Sequence, residues 1–318
     1  EQHGLTAFRE YQREHEHEIL SPGTAFPLVK GLLAVNDRAG EQLVDVIILS
    51  RNDADSAMRV LRSIEAHDLP ITRGVFRGGR DPWPLLPALS CDVFLSAEPS
   101  QVLKAQEHGV AAALILPGAR LANEDVAEVR IAFDGDAVLF DQASQRVFDE
   151  QGLDAFHEHE ASHQDEPMSP GPFRPFLDGL ARIQSRFGAA SPVRTALVTA
   201  RAAPAHYRVV NTLRSWGVNI DETYFLGGVD KTEVLRAFGA HIFFDDQRVH
   251  AERASALVPA AQVLWSEDDL PAAEKPSMPA AVKGKGSKDG KRQRKTSSAS
   301  PRAAARPPAP RARAGSGR

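Results

Sequence analysis

Apolar positions along the chain gather into short β-rich runs separated by stretches of helical length. Such runs occupy residues 28–35, 44–49, 93–95, 113–116, 129–133, 195–198, 242–244 and 262–264. Their bounded, Val-, Ile-, Leu- and Phe-rich character predicts buried strands. Between them the apolar residues follow a different period: in 204–216, Val209, Val210, Leu213 and Trp216 share one helical face, and 56–67 is also of helical length and period. Strands alternating with helices imply a mostly parallel sheet covered on both sides, since a parallel pair needs a crossover and the helix supplies it. An α/β fold is therefore predicted, in a chain of 318 residues that is long enough for one large domain or two modest ones.

The pattern also repeats. Sliding the chain by 149 residues sets 44–97 on 193–246 without a gap, and twelve of the 54 pairs are identical. Arg59 and Val60 fall on Arg208 and Val209, and Phe76, Gly78, Gly79 and Asp81 fall on Phe225, Gly227, Gly228 and Asp230. The register runs on to 113–116 over 262–265. An internal duplication follows, with an N-terminal α/β half at 1–124 and a second half at 125–270 that is interrupted by a helical insertion at 141–191. Allowing for that insertion, a strand at 28–35 would set Asn36 where Asp134 stands in the second half.

Charge divides the chain differently. From Lys275 onward there are thirteen Lys or Arg and one acid, while residues 1–274 carry 25 basic and 41 acidic side chains. The segment 271–318 is thus strongly basic and almost without large apolar side chains, so burial cannot offset the entropy of ordering it, and it is expected to be disordered. Its charge suits non-specific contact with nucleic acid, or simply solubility; without an aromatic residue it has nothing to stack on bases. The single cysteine, Cys91, excludes an internal disulfide. No apolar run reaches the ~20 residues of a membrane span. A soluble, cytoplasmic protein without membrane contact is expected.

In open α/β sheets ligands bind beyond the carboxyl ends of the strands. Four polar groups follow apolar runs there: Asp134 with Asp136 after VRIAF, Thr199 after TALV, Lys231 after YFLGGVD, and Asp245 with Asp246 after HIFF. Each alone reads as a cap, a turn or a solvated side chain. Together they supply what phosphoryl transfer needs: an oxygen nucleophile, charge to neutralise the phosphate oxygens, and a proton for the leaving alkoxide. Asp134 would attack phosphorus, and Asp136 would serve as general acid and then base. Asp245 and Asp246, with Asp134 and the backbone carbonyl of Asp136, would hold Mg²⁺, which prefers oxygen ligands. Thr199 and Lys231 would bind the transferring phosphate.

This ordered set resembles the haloacid dehalogenase-like superfamily. Longer stretches, including FPLVKGLLAVND, IAFDGDAVLF, GPFRPFLDGLARIQ and the segment from LVTARAAPAHY to HIFFDDQ, are similar to the cytosolic 5′-nucleotidase type I family and its bacterial relatives over roughly residues 5–265. The resemblance implies an Mg²⁺-dependent phosphatase of nucleoside 5′-monophosphates with Asp134 as nucleophile, Asp136 as acid/base, Thr199 and Lys231 on phosphate, and Asp245 and Asp246 on the metal. It also implies a cap in 141–191 that reads the leaving group, where Phe156, His157, Phe173 and Phe176 would either contact base or sugar or form the core of the cap. The alternation of His157, Glu158, His159 and Glu160 reads as a solvated polar face. At the repeat-equivalent positions the first half has Ser50, Pro82, Ser96 and Ala97 in place of Thr199, Lys231, Asp245 and Asp246, which implies a catalytically dead copy. Two alternatives stay open: the same chemistry on another phosphomonoester such as a sugar phosphate, and a nucleic-acid-associated protein acting through the basic tail.

Overall fold

A computed structural model describes residues 4–119 and 127–270. The basic segment 271–318, read above as disordered, lies outside the described residues. In chain order the first half contains α1 (Gly4–Glu14), α2 (Phe26–Ala39), β1 (Ile47–Ser50), α3 (Met58–Ala66), β2 (Arg73–Phe76), β3 (Val93–Ser96), α4 (Pro99–Glu107) and β4 (Ala111–Ile115). The second contains β5 (Val129–Phe133), α5 (Ala143–Ser162), α6 (Arg174–Phe187), β6 (Val193–Thr199), α7 (His206–Trp216), β7 (Glu222–Phe225), α8 (Thr232–Phe238), β8 (Ile242–Asp245), α9 (Arg248–Ser255) and β9 (Ala260–Gln262).

Seven strands form one sheet in the order β3-β4-β9-β8-β5-β6-β7, parallel except where β4 meets β9, and β1 and β2 form a separate parallel pair. The run VRIAF lies inside the sheet as β5, flanked by β6 and β8. Both faces of that centre are covered, which is why its strands read as continuous apolar runs. On one face Ile131, Phe133, Leu197 and Phe244 pack with Leu28, Leu32 and Val35 of α2, Phe176, Leu177 and Leu180 of α6, and Val209 of α7. On the other, Ala132, Ala196, Val198 and Phe243 meet Leu235 and Phe238 of α8 and Ala254 of α9.

The expected strand at 28–35 is a helix. Leu28, Leu32 and Val35 are buried at a spacing of four and three, one face of a helix that starts with Pro27 in its first turn and stops at Gly40, whose φ is 67°. A short stretch of eight residues, apolar but for Lys30 and Gly31, fits either element, and its continuation to Ala39 decides for helix. Asn36 accordingly does not stand opposite Asp134. Its amide donates to the Val44 carbonyl at 2.7 Å, and its oxygen accepts from the Leu43 and Val44 amides, both at 2.8 Å.

The 149-residue offset holds in three dimensions. The pair Ile47 and Arg73 in β1–β2 maps onto Ala196 and Glu222 in β6–β7. Gly78 and Gly79 take φ of 56° and 91°, and their equivalents Gly227 and Gly228 take 60° and 84°. Helix α2 repeats as α6 at an offset of 148, with Pro27, Gly31, Leu32 and Gly40 falling on Pro175, Gly179, Leu180 and Gly188. The equivalent strands β4 and β9 pair antiparallel near the middle of the sheet, as a two-fold relation between halves requires. In the second half β5 joins β6 to β8; among the described residues the first half has no counterpart of β5 to join β1 to β3, so β1–β2 stands apart.

Candidate active site

Three neighbouring parallel strands, β8, β5 and β6, end side by side and deliver Asp245, Asp134 and Thr199 to one edge of the sheet. Asp134 follows β5 directly; its amide donates to the Phe244 carbonyl at 2.8 Å, and its carboxylate accepts from the Gly135 amide at 2.7 Å. The chain then makes one tight turn through Gly135–Leu139, with Ala137 at φ 59° and the Phe140 amide closing onto the Gly135 carbonyl at 2.9 Å. Trp265, from the segment after β9, braces that turn by donating its indole N–H to the Ala137 carbonyl at 2.9 Å.

Lys231 enters from the β7–α8 connection, at the N-cap of α8, and is 5% exposed. Its Nζ lies 2.7 Å from Asp245 Oδ2 and 3.0 Å from Asp134 Oδ1. Asp246, the next residue, sits at the rim. The three carboxylates of Asp134, Asp245 and Asp246 each offer an oxygen within 4.8 Å of the others. Their crowding shows in their proton affinities. Burial pushes the Asp134 carboxyl up to about 7, with Asp245 and Asp136 adding to it against Lys231. Burial and the charges of Asp134 and Asp245 push Asp246 up to about 9. Asp245 is held low: burial opposes its charge, and Lys231 outweighs that opposition. Lys231 itself is raised despite its burial, through Asp134 and Asp245. One ammonium cannot neutralise three carboxylates, and an all-oxygen set of this kind fits a hard divalent cation. The residues present could hold a metal ion.

The structure thus gathers Asp134, Lys231, Asp245 and Asp246, with Thr199 fully buried at the end of the adjacent strand, where its hydroxyl accepts from the Arg201 amide at 3.2 Å. The carboxylate of Asp136 is held apart from Lys231, by an arginine. It is gripped from two sides by Arg201, with Nη2 at 2.6 Å from Oδ1 and Nε at 2.8 Å from Oδ2.

Of the insertion 141–191, α5 contributes no side chain to the sheet core, whereas Met168 of the loop after it is part of that core. Helix α6 covers the sheet, as α2 does in the first half, and Phe173 and Phe176 are core side chains with ring centroids 4.6 Å and 6.2 Å from Phe244. Phe156 and His157 are placed differently: the Phe156 ring lies under the Arg201 guanidinium at 5.2 Å, with His157 beside it at 5.8 Å.

Two residues escaped the sequence reading. Arg201, two positions after Thr199, is 3% exposed, and Glu160, read as part of a solvated face, is fully buried. They are ion-paired to each other, and Glu160 also accepts from Arg208 at 2.9 Å and from the Ser144 hydroxyl at 2.6 Å. Burial works against the Arg201 charge, and Asp136 and Glu160 outweigh it, holding the guanidinium above its ordinary range. The signal in the sequence was the Arg that shares the T-A-R segment with Thr199; nothing in HEHE distinguishes Glu160 from its neighbours.

A mostly parallel sheet with this Asp, Thr, Lys and Asp-Asp set at its strand ends defines a haloacid dehalogenase-like protein. The sequence pattern of the 5′-nucleotidase family matches residues 1–269, and the chain belongs to that family. It is 39% identical over 269 residues to human cytosolic 5′-nucleotidase 1B, covering 81% of this chain and 44% of that protein. The chain therefore spans less than half the length of this curated relative. No solved structure matches it. Among the described residues no helix is long and apolar enough to cross a membrane.

Proposed function

We propose that this chain is an Mg²⁺-dependent 5′-nucleotidase that converts nucleoside 5′-monophosphates to nucleoside and phosphate. The observation that carries the proposal is the meeting of Lys231 with Asp134 and Asp245 at the strand ends, a fixed cation beside a buried nucleophile. Family membership and the similarity to a cytosolic 5′-nucleotidase support the substrate class.

A carboxylate oxygen of Asp134 forms a bond to phosphorus while the bond from phosphorus to O5′ breaks, and Asp136 gives its proton to O5′. Water then attacks the aspartyl-phosphate, Asp136 takes a proton from it, and the bond to Asp134 breaks to release phosphate. Thr199, through hydroxyl and amide, and Lys231, through its ammonium, hold the transferring oxygens. Asp134, Asp245 and Asp246, with the Asp136 carbonyl, would hold Mg²⁺, which would neutralise phosphate charge as a Lewis acid. Phe156 and His157, beside Arg201, would be the cap residues nearest the nucleoside.

The first half acts in this account as a non-catalytic copy, since Ser50, Pro82, Ser96 and Ala97 hold the equivalent positions and none can attack phosphorus or balance its charge as Asp134 and Lys231 do. The thirteen basic residues from Lys275 onward would add salt-dependent, sequence-blind contact with nucleic acid. A cytoplasmic location accords with the lone, free Cys91. The test is Mg²⁺-dependent phosphate release from nucleoside 5′-monophosphates. Preference for sugar phosphates would move the substrate class while leaving the mechanism in place.

A further inference from the structure

The buried carboxylate of Glu160 has no part in the chemistry above, yet it is tied to it. Glu160 belongs to α5, beyond Gly152, where a φ of 84° breaks the helix and gives its second stretch a separate direction. That stretch brings Phe156 and Glu160 onto Arg201. The contacts divide the guanidinium cleanly: Nη1 pairs with Glu160, while Nε and Nη2 grip the two oxygens of Asp136 at 2.8 Å and 2.6 Å. The other oxygen of Glu160 is fixed by Arg208 at 2.9 Å and Ser144 at 2.6 Å. Four charges, two of each sign, thus run in an unbroken line from Arg208 of α7 through Glu160 of α5 and Arg201 to Asp136.

Burying three ionised groups, Glu160, Arg201 and Arg208, with a fourth, Asp136, partly buried, carries a desolvation cost that an apolar cluster of similar volume would avoid, so the line is a poor device for stability alone. Its geometry does something that stability does not require. A planar guanidinium held at one edge by Glu160 presents a fixed fork to Asp136, and an acid/base group must keep its oxygen within hydrogen-bond reach of the leaving atom. We propose that Glu160 is a positioning residue: seated from the cap, it orients Arg201 and through it Asp136, so that proton delivery to the leaving oxygen depends on the cap being in place. The inference rests on the nucleotidase reading.

Its signature is dependence on the leaving group. A nucleoside 5′-alkoxide needs a proton as it departs, whereas p-nitrophenolate departs without one. Glu160→Gln is expected to lower kcat on a nucleoside 5′-monophosphate by about 10- to 100-fold, a part of the ~10²- to 10⁴-fold that general acid catalysis supplies. On p-nitrophenyl phosphate the loss should stay within about 3-fold, with both KM values within about 2-fold. Arg201→Lys, which keeps the charge and loses the fork, should give the same split, and the double variant should be no worse than either single one, as for residues in one chain of contacts. Ser144→Ala, which removes a single hydrogen bond to Glu160, should move the ratio the same way by about 2- to 3-fold. It serves where Glu160→Gln fails to fold in a thermal melt. Equal losses on both substrates, or none, would overturn the positioning role and leave the nucleotidase reading intact. A wild-type protein that hydrolyses neither substrate would overturn both.

Discussion

The Nζ of Lys231 lies 3.0 Å from Oδ1 of Asp134. A lysine from the start of α8 and an aspartate just after β5 share this contact because β5 ends and α8 begins at the same edge of the sheet. The ammonium does two things at that place. It offsets the crowding of Asp134 with Asp245, and in the proposed mechanism it would hold the phosphate oxygens. Lys231→Met should therefore lower phosphate release from a nucleoside 5′-monophosphate by at least about 10²-fold, the scale of losing one preorganised charge or donor in a closed site. Initial rates at saturating substrate and Mg²⁺ measure this; a loss below about 5-fold would mean that the lysine is only structural.

The raised carboxyls set a pH dependence for the metal-free protein. Asp134 and Asp246, pushed up to about 7 and about 9, keep protons in the folded state that an unfolded chain releases near pH 4. Between those limits the folded state binds more protons, so stability falls as pH rises through the window. A divalent cation replaces those protons. The rise in Tm on adding Mg²⁺ should be larger at pH 8.5 than at pH 6, read by scanning calorimetry with and without EDTA. An equal rise at both would show that the cation binds elsewhere.

Gly171 marks where the loop from α5 passes against the turn that follows Asp134. A Cβ there would lie 2.5 Å from the Val138 carbonyl oxygen and would also collide with that of Phe140. Backbone on both sides leaves no side chain to yield. Gly171→Ala should cost about 1–3 kcal/mol, the usual scale of overpacking a tight site, and should lower kcat through the displaced turn after Asp136. Denaturant melts together with rates test it; unchanged stability would mean that the loop shifts freely.

Much of this was legible in sequence because its cause is local. Asp134, Asp245 and Thr199 each close a short apolar run rich in strand-forming residues and followed by polar ones, so their place at the strand ends follows from the pattern. Helix α2 reads as a strand because its short stretch 28–35, apolar but for Lys30 and Gly31, carries no period that separates a strand from a buried helix. Strands β2 and β7 went unread for the opposite reason: each pairs with a strand on one side only, and Arg73 and Glu222 give them polar surfaces. Glu160 was out of reach because its burial depends on Arg201 and Arg208, 41 and 48 residues away.

The repeat supplies its own control. Ser50 and Thr199 hold equivalent positions, one at the end of β1 and one at the end of β6. Thr199→Ala should lower the rate by about 10- to 100-fold through loss of a phosphate ligand, while Ser50→Ala should leave kcat within about 2-fold. A comparable loss at Ser50 would show that the first half takes part in the chemistry.

The central claim is that Asp134 attacks the phosphorus of a nucleoside 5′-monophosphate with a divalent cation in place. Its most direct test is phosphate release from a panel of nucleoside 5′-monophosphates, 3′-monophosphates and sugar phosphates, in Mg²⁺ or in EDTA, by the wild type and by Asp134→Asn. The account predicts release confined to the 5′-monophosphates, lost in EDTA, and reduced at least about 10³-fold by the substitution, as expected when a covalent nucleophile is removed. Release that persists in Asp134→Asn, or no release from any 5′-monophosphate, would contradict it.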